Sequence, residues 1–173
     1  TQNRYPGYSK QDPEIIWDAF EKCIKQIIYI IKYPPVSISF SSAMHGLIAV
    51  NKEKRPISLL ITWADTRSEK IAEQIKNSKE AESIYKATGT PIHPMTPLCK
   101  IIWLRENQPS VFKNTFKFIS IKEFIWFRLF GFYEIDHSIA SATGLLNIKT
   151  LFVLTFRTLQ NLLLVFSIIR SYI

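Results

Sequence analysis

The stretch from Asp12 to Pro35 leaves the chain little choice of local structure. Asp12, Pro13 and Glu14 make a helix start: a capping carboxylate, a residue whose φ already suits the first turn, and an acid at the positive end of the helix dipole. Ile16, Ala19, Phe20, Cys23, Ile24, Ile27, Ile28 and Ile31 then recur in alternating steps of three and one, which draws one apolar stripe along a helix. Pro34-Pro35 ends it. A helix with one apolar side must lay that side on something, so the rest of the chain has to supply a sheet or further helices. Cys23 lies inside the stripe and reads as a small core residue rather than a nucleophile.

The segments that follow meet that need. Val36, Ile38 and Phe40 alternate with Ser37 and Ser39, the period of a strand. A second apolar run at 47–50 leads into a polar loop at 51–56, and a third strand is predicted over 57–62. The short loop between these two suggests a hairpin. Helical patterns cover roughly 68–77, 79–88, 97–107 and 120–130, with Ser120 and Glu123 as a capping box for the last and Gly131 as its stop. Residues 1–11 read as irregular, with a turn at Pro6-Gly7. One long helix, strands and then several helices describe an α/β or α+β domain whose topology stays open.

Composition narrows the function. With 173 residues, 47% of them apolar, the chain is long enough for one domain with a sizeable core. The 5 glycines and 9 prolines exclude collagen and low-complexity classes. The net charge of +8 raises the question of nucleic acid, but the lysines are interleaved with acids, as in Asp18/Lys22 and Glu21/Lys25, and no compact basic stripe carries aromatic residues. No nucleic-acid partner is expected. Cys23 and Cys99 have no metal-type spacing with the 3 histidines, so neither a disulfide framework nor a zinc site is expected, and a reducing, cytoplasmic location is.

Two loops carry candidate chemistry. In Thr62-Trp63-Ala64-Asp65-Thr66-Arg67, after the third strand, a Trp offers a flat apolar face to the carbon side of a sugar, while Asp and Arg offer an acceptor and a fork of donors. The plainer alternative makes Trp63 core, Asp65 or Thr66 a helix cap and Arg67 surface. In Ser41-Ser42-Ala43-Met44-His45-Gly46 an imidazole follows a strand, and a simple turn histidine explains it equally. His93, in the Pro-studded loop 89–95, either lines a pocket or shapes it, and His137 sits near 138–144, where helix termination accounts for the composition. Glycines at 7, 46, 89, 131 and 144 are too widely spaced for a phosphate cradle, and no catalytic triad, nucleophile elbow or metal-binding His/Glu helix is present.

Taken together, several segments resemble the FGGY-type carbohydrate kinases. These are Gly7-Tyr8 followed by Gln11-Asp12-Pro13-Glu14-Ile15-Ile16-Trp17, then SISFSSAMHGLIAV, ITWADTRSEKIAEQI, TGTPIHPMTPLCKIIWLRENQP, FISIKEFIWFRLFG and IDHSIASATGLLNIKTL, in the family's order and spacing over about residues 5–151. SSAMH, ITWADTR and TGTPIHPM are most similar to the gluconokinase branch, while Met-His-Gly alone fits xylulokinases as well. The resemblance implies an α/β fold: part of the first, sugar-binding domain of a two-domain, ribonuclease H-like (actin-like ATPase) kinase, incomplete at both ends. It implies transfer of the ATP γ-phosphoryl group to a hydroxyl of a small sugar or sugar acid, with ATP and Mg²⁺ as cofactors of the complete enzyme. By resemblance the sugar-contacting residues are Met44, His45 and Trp63, extended to Asp65, Arg67, His93 and Met95, with Arg67 or His45 to meet a gluconate carboxylate. The catalytic Asp and the nucleotide site are expected downstream, so the chain alone is expected to be inactive.

All 14 acids lie at or before Asp136. Residues 151–173 hold Arg157 and Arg170, no acid and 15 apolar residues, and the family pattern stops with them. Residues 1–150 are therefore expected to be the partial kinase domain and 151–173 an aberrant, out-of-frame extension; Thr1 in place of Met likewise leads us to expect a piece of something longer. A membrane-associated remnant and a sugar-binding module without kinase activity are the competing readings. Against a membrane helix, Arg157, Gln160 and Asn161 interrupt the tail, and an Arg near a helix centre costs roughly 2.5–3.5 kcal/mol on insertion. Oligomeric state is left open. The other frames of the encoding DNA are expected to restore a kinase-like continuation after codon 150; if neither does, the frame-shift reading fails.

Overall fold

The computed structural model describes residues 6–152, so the expectations for the segment beyond them fall outside the described residues. Asp12 caps as its chemistry predicts: its carboxylate accepts the Glu14 N–H at 2.9 Å, and helix α1 runs Pro13–Ile31 until Lys32, in the left-handed region, closes it. Strand β1 (Lys10–Gln11) precedes α1, and β2 (Ile48–Val50) and β3 (Leu60–Ile61) follow it. Then come α2 (Glu69–Lys76), α3 (Ala81–Thr88), α4 (Pro97–Asn107), α5 (Pro109–Asn114), β4 (Lys117–Ile119), α6 (Ile121–Phe130) and α7 (His137–Ser141).

The strands are short and antiparallel. β1 pairs with β3 through Lys10↔Ile61 and Gln11↔Leu60, and β2 pairs with β4 through Ile48↔Ile119, Ala49↔Phe118 and Val50↔Lys117. The expected hairpin joins the two pairs as isolated bridges, Leu47↔Ile61 and Val50↔Pro56. Leu47 and Ile61 exchange both backbone bonds, at 3.0 and 2.8 Å.

Successive strand residues point to opposite faces, and the strand 47–50 region uses this to feed two cores. Leu47 and Ala49 pack with Ile61, Phe118 and residues of α2, α3 and α4, including Ile71, Ile84, Leu98, Ile101 and Leu104. Ile48 and Val50 pack on the other side with Leu60, Ile119 and the α6 residues Phe124 and Ile125, and Ile16, Trp17 and Phe20 of α1 close the edge of that cluster. A smaller cluster, Ile135, Ile139, Ala140 and Leu146, seats α7. The result is a mixed α/β fold with helices on both sides of the strands.

Local signals held up where the deciding contacts are local. The capping box of α6 is complete: Ser120 Oγ accepts the Glu123 N–H at 3.1 Å and Glu123 Oε2 accepts the Ser120 N–H at 2.8 Å, with Gly131 at φ 81° ending the helix. Burial of Glu123 pushes its carboxyl well above the usual carboxylate range. Three expectations are corrected. Residues 36–40 form no strand, because alternation needs a ladder partner and Val36 and Ile38 stand exposed instead. Cys23 is exposed rather than core: the stripe on α1 is covered only over its first turns, and Ile27, Ile28 and Ile30 are exposed as well. Near His137 a helix begins rather than ends, since Asp136 Oδ1 caps α7 through the Ser138 and Ile139 N–H groups. Elements β1, α5, β4 and α7 were not predicted.

The two thiols report this packing directly. Cys23 is expected to react with an aromatic disulfide reagent in the native chain at a rate near that of a free thiol. Cys99, buried and with its thiol pushed up by burial, is expected to react only on unfolding. Equal native reactivity of the two would contradict the burial described.

Candidate functional site

The exit of β3 is built around a buried ion pair. Asp65 is 1% exposed. Its Oδ2 accepts the Ser9 N–H at 2.8 Å, and Arg67 Nε donates to Oδ1 and Oδ2 at 2.9 and 3.0 Å. The Arg67 guanidinium lies between two rings, 4.1 Å from the Tyr8 centroid and 4.4 Å from that of Trp103. Its Nη1 and Nη2 are buried and find no hydrogen-bond partner among the described residues. Arg67 is therefore not the surface residue of the plainer sequence reading; Asp65 and Arg67 face protein. Trp63, in the same loop, is 59% exposed, so it is not core either.

His45 precedes β2 with its backbone at φ 61°, an uncommon region for a residue with a side chain. Its Nδ1 lies 2.9 Å from the Ala142 carbonyl oxygen. A carbonyl only accepts, so Nδ1 carries the proton and Nε2 of the neutral ring is left as an acceptor. Burial lowers the imidazole pKa; the Ala142 bond opposes this, and Lys100 and His93 add to the lowering. A Cβ at Gly46 would meet Leu60 Cδ1 at 2.9 Å, so the tip of the Leu60 side chain would have to shift to admit one. Met44, before His45, is exposed.

Lys100, which the sequence reading missed, joins the two loops. It is 2% exposed, and its Nζ donates to the His45 carbonyl at 2.6 Å and the Thr62 carbonyl at 2.8 Å. The signal available in the sequence was a single charge inside the apolar run Leu98-Cys99-Lys100-Ile101-Ile102-Trp103 of α4. A further loop is tied alongside. Ser68 Oγ donates to the Pro94 carbonyl at 2.7 Å, His93 Nδ1 accepts the Met95 N–H at 3.2 Å, and Thr90 Oγ1 donates to the Ser141 carbonyl at 2.6 Å. His93 is exposed and Met95 half-buried.

Met44, His45 and Trp63 are thus brought to one end of the strands, with the 93–95 loop beside them and Asp65 and Arg67 beneath. The arrangement offers an open indole face, a thioether and an imidazole acceptor, which suits a molecule with carbon–hydrogen faces and hydroxyl edges. Among the described residues no group of three or more His, Cys, Asp or Glu gathers as a metal site. An apolar recess of about 210 Å³, lined by Ile71, Ile75, Ile84, Leu98 and Ile102, lies between α2, α3 and α4, away from these loops. No helix among the described residues is long and apolar enough to cross a membrane.

Known proteins share this chain's pattern. The FGGY family of carbohydrate kinases, N-terminal domain, matches residues 1–152. A gluconokinase of Bacillus licheniformis is 44% identical over 146 residues, which is 83% of this chain and 28% of that protein. The crystal structure of a ligand-bound xylulose kinase from Lactobacillus acidophilus matches with a TM-score of 0.86 and 38% identity, covering 90% of this chain and 31% of the other. That of a gluconate kinase from the same organism gives 0.85 and 38%, covering 88% and 31%. The chain spans about three-tenths of the length of the relatives it matches.

Removing one member of a buried ion pair strands the other. Asp65→Ala is expected to cost about 3–5 kcal/mol in urea-unfolding measurements, against at most about 0.5 kcal/mol for Trp63→Ala on the open face. Equal losses would show that the Asp65–Arg67 pair does not support the loop.

Proposed function

The chain belongs to the FGGY family of carbohydrate kinases, and from that premise we propose that its clustered loops are the sugar-facing wall of an enzyme that moves the γ-phosphoryl group of ATP onto a hydroxyl of gluconate. The observation that carries this reading is the pairing of an exposed Trp63 with a His45 ring whose tautomer is fixed by Ala142. Trp63 lies against the carbon face of the sugar, His45 Nε2 accepts a hydrogen bond from a sugar hydroxyl, and Met44, His93 and Met95 complete the wall. Asp65 and Arg67 hold the wall from behind. Arg67 is buried and engaged with Asp65, and a neutral imidazole suits a hydroxyl better than an anion. These loops therefore read the polyol rather than the carboxylate.

Kinases of this family use ATP and Mg²⁺. Among the described residues no group of three or more His, Cys, Asp or Glu gathers, and Gly7, Gly89, Gly131 and Gly144 stand at turns and helix ends at positive φ. In this reading ATP, Mg²⁺ and the catalytic Asp belong to the part of the kinase fold that this chain does not match. The chain alone is expected to hold a sugar without transferring phosphate. Residues 1–150 form the partial sugar-binding domain in this reading, with 151–173 a separate segment. Two free thiols, one of them exposed, suit the reducing cytoplasm.

A second reading, xylulose as acceptor, is favoured by the equal 38% identity to the xylulose and gluconate kinases of Lactobacillus acidophilus. Ligand-observed NMR on the 173-residue chain tests both. Saturation transfer to gluconate is expected for the wild type and not for Trp63→Ala, and a stronger transfer to xylulose would select the second reading. Since burial lowers the His45 pKa from its ordinary 6.5, the ring stays neutral at neutral pH, and binding is expected to weaken only at an acidity beyond the ordinary imidazole range, where Nε2 takes a proton. A folded chain that binds neither sugar would overturn the proposal.

A further inference from the structure

Lys100 is an ammonium in an apolar helix, and burial there is unfavourable unless its donors are matched. Among the described residues it donates to two carbonyls from different parts of the chain. One belongs to His45, ahead of β2, and the other to Thr62, after β3 and next to Trp63. His45 is also the residue held at φ 61°, a conformation that persists only when its surroundings over-determine it. Ala142 fixes its ring and Lys100 fixes its carbonyl.

We infer that Lys100 is a positioning residue: by tying the His45 and Thr62 carbonyls to one ammonium on α4, it sets the spacing of the imidazole and the indole on the candidate sugar wall. The consequence for sugar rests on the proposed function; the positioning itself does not. A lysine with a merely structural role would change stability when replaced and leave those two rings where they are.

The ammonium also titrates near neutrality. Burial pushes Lys100 down to about 7, with Asp65 and Cys99 raising it and Arg67 lowering it further; His45, which the Lys100 charge lowers in turn, faces it from the β2 side, and His93 acts on His45. The unfolded lysine titrates at 10.5, so between about 7 and 10.5 the unfolded chain binds more protons and fold stability from this group rises with pH. At the lower edge of that window, around pH 7, the folded amine loses its proton and the clamp loosens, because hydrogen bonds from a neutral amine are weaker than those from an ammonium. Stability and site order therefore move in opposite directions.

NMR of the full chain separates the outcomes. As pH rises through about 7, the His45 ring and Trp63 indole resonances are expected to shift together with the Lys100 Cε resonance. Gluconate affinity is expected to fall about fivefold over that step, the loss for trading charged for neutral donors. In Lys100→Met both rings are expected to be displaced at every pH, with affinity down about tenfold, while Lys100→Arg keeps the charge and abolishes the alkaline step. If the wild-type rings ignore the Lys100 titration, the inference is wrong, whether or not the variants fold. If the rings follow it but no sugar binds, the positioning stands and the sugar reading falls.

Discussion

A carboxylate with as little water as Asp65 has must be given donors by the protein. Ser9 brings one from the segment leading into β1, and Arg67 brings its Nε and its backbone N–H. Arg67 in turn lies against the Tyr8 and Trp103 rings, so the segment before β1, the exit of β3 and helix α4 meet at one ion pair. The ring faces stabilise the cation at Nη1 and Nη2, which find no acceptor among the described residues. The loop carrying Trp63 is thereby anchored on both sides of an exposed residue.

What the sequence made legible was local. Asp12, Pro13, the Ser120/Glu123 box and Gly131 act within a turn of themselves, so their residue types suffice to place helix ends. Strand pairing is settled by distant residues, and the pattern of 36–40 carries no information about whether a partner lies alongside. The stripe on α1 misled for the same reason: periodicity says which side is apolar, and only the assembled fold says how far along its length the side is covered. Cys23 lies beyond the covered part.

At the candidate site the motif residues were legible and their depths were not. His45, Met44 and Trp63 could be singled out as residue types in loops after strands, but nothing in the spacing of Trp63, Asp65 and Arg67 says that the first faces water while the other two are buried under it. Lys100 was overlooked because it stands in a helix rather than in a motif, although a lone charge among apolar neighbours has to be explained by the carbonyls it finds.

The short run from Leu47 to Val50 has an implication for how such chains can vary. Its odd and even positions belong to different interiors, so adding or deleting one residue there would exchange their contents wholesale, leucine and alanine for isoleucine and valine. The polar loop at 51–56 has no such parity to protect. Length polymorphism among related chains should accordingly be dense in the loop and absent from the four residues before it.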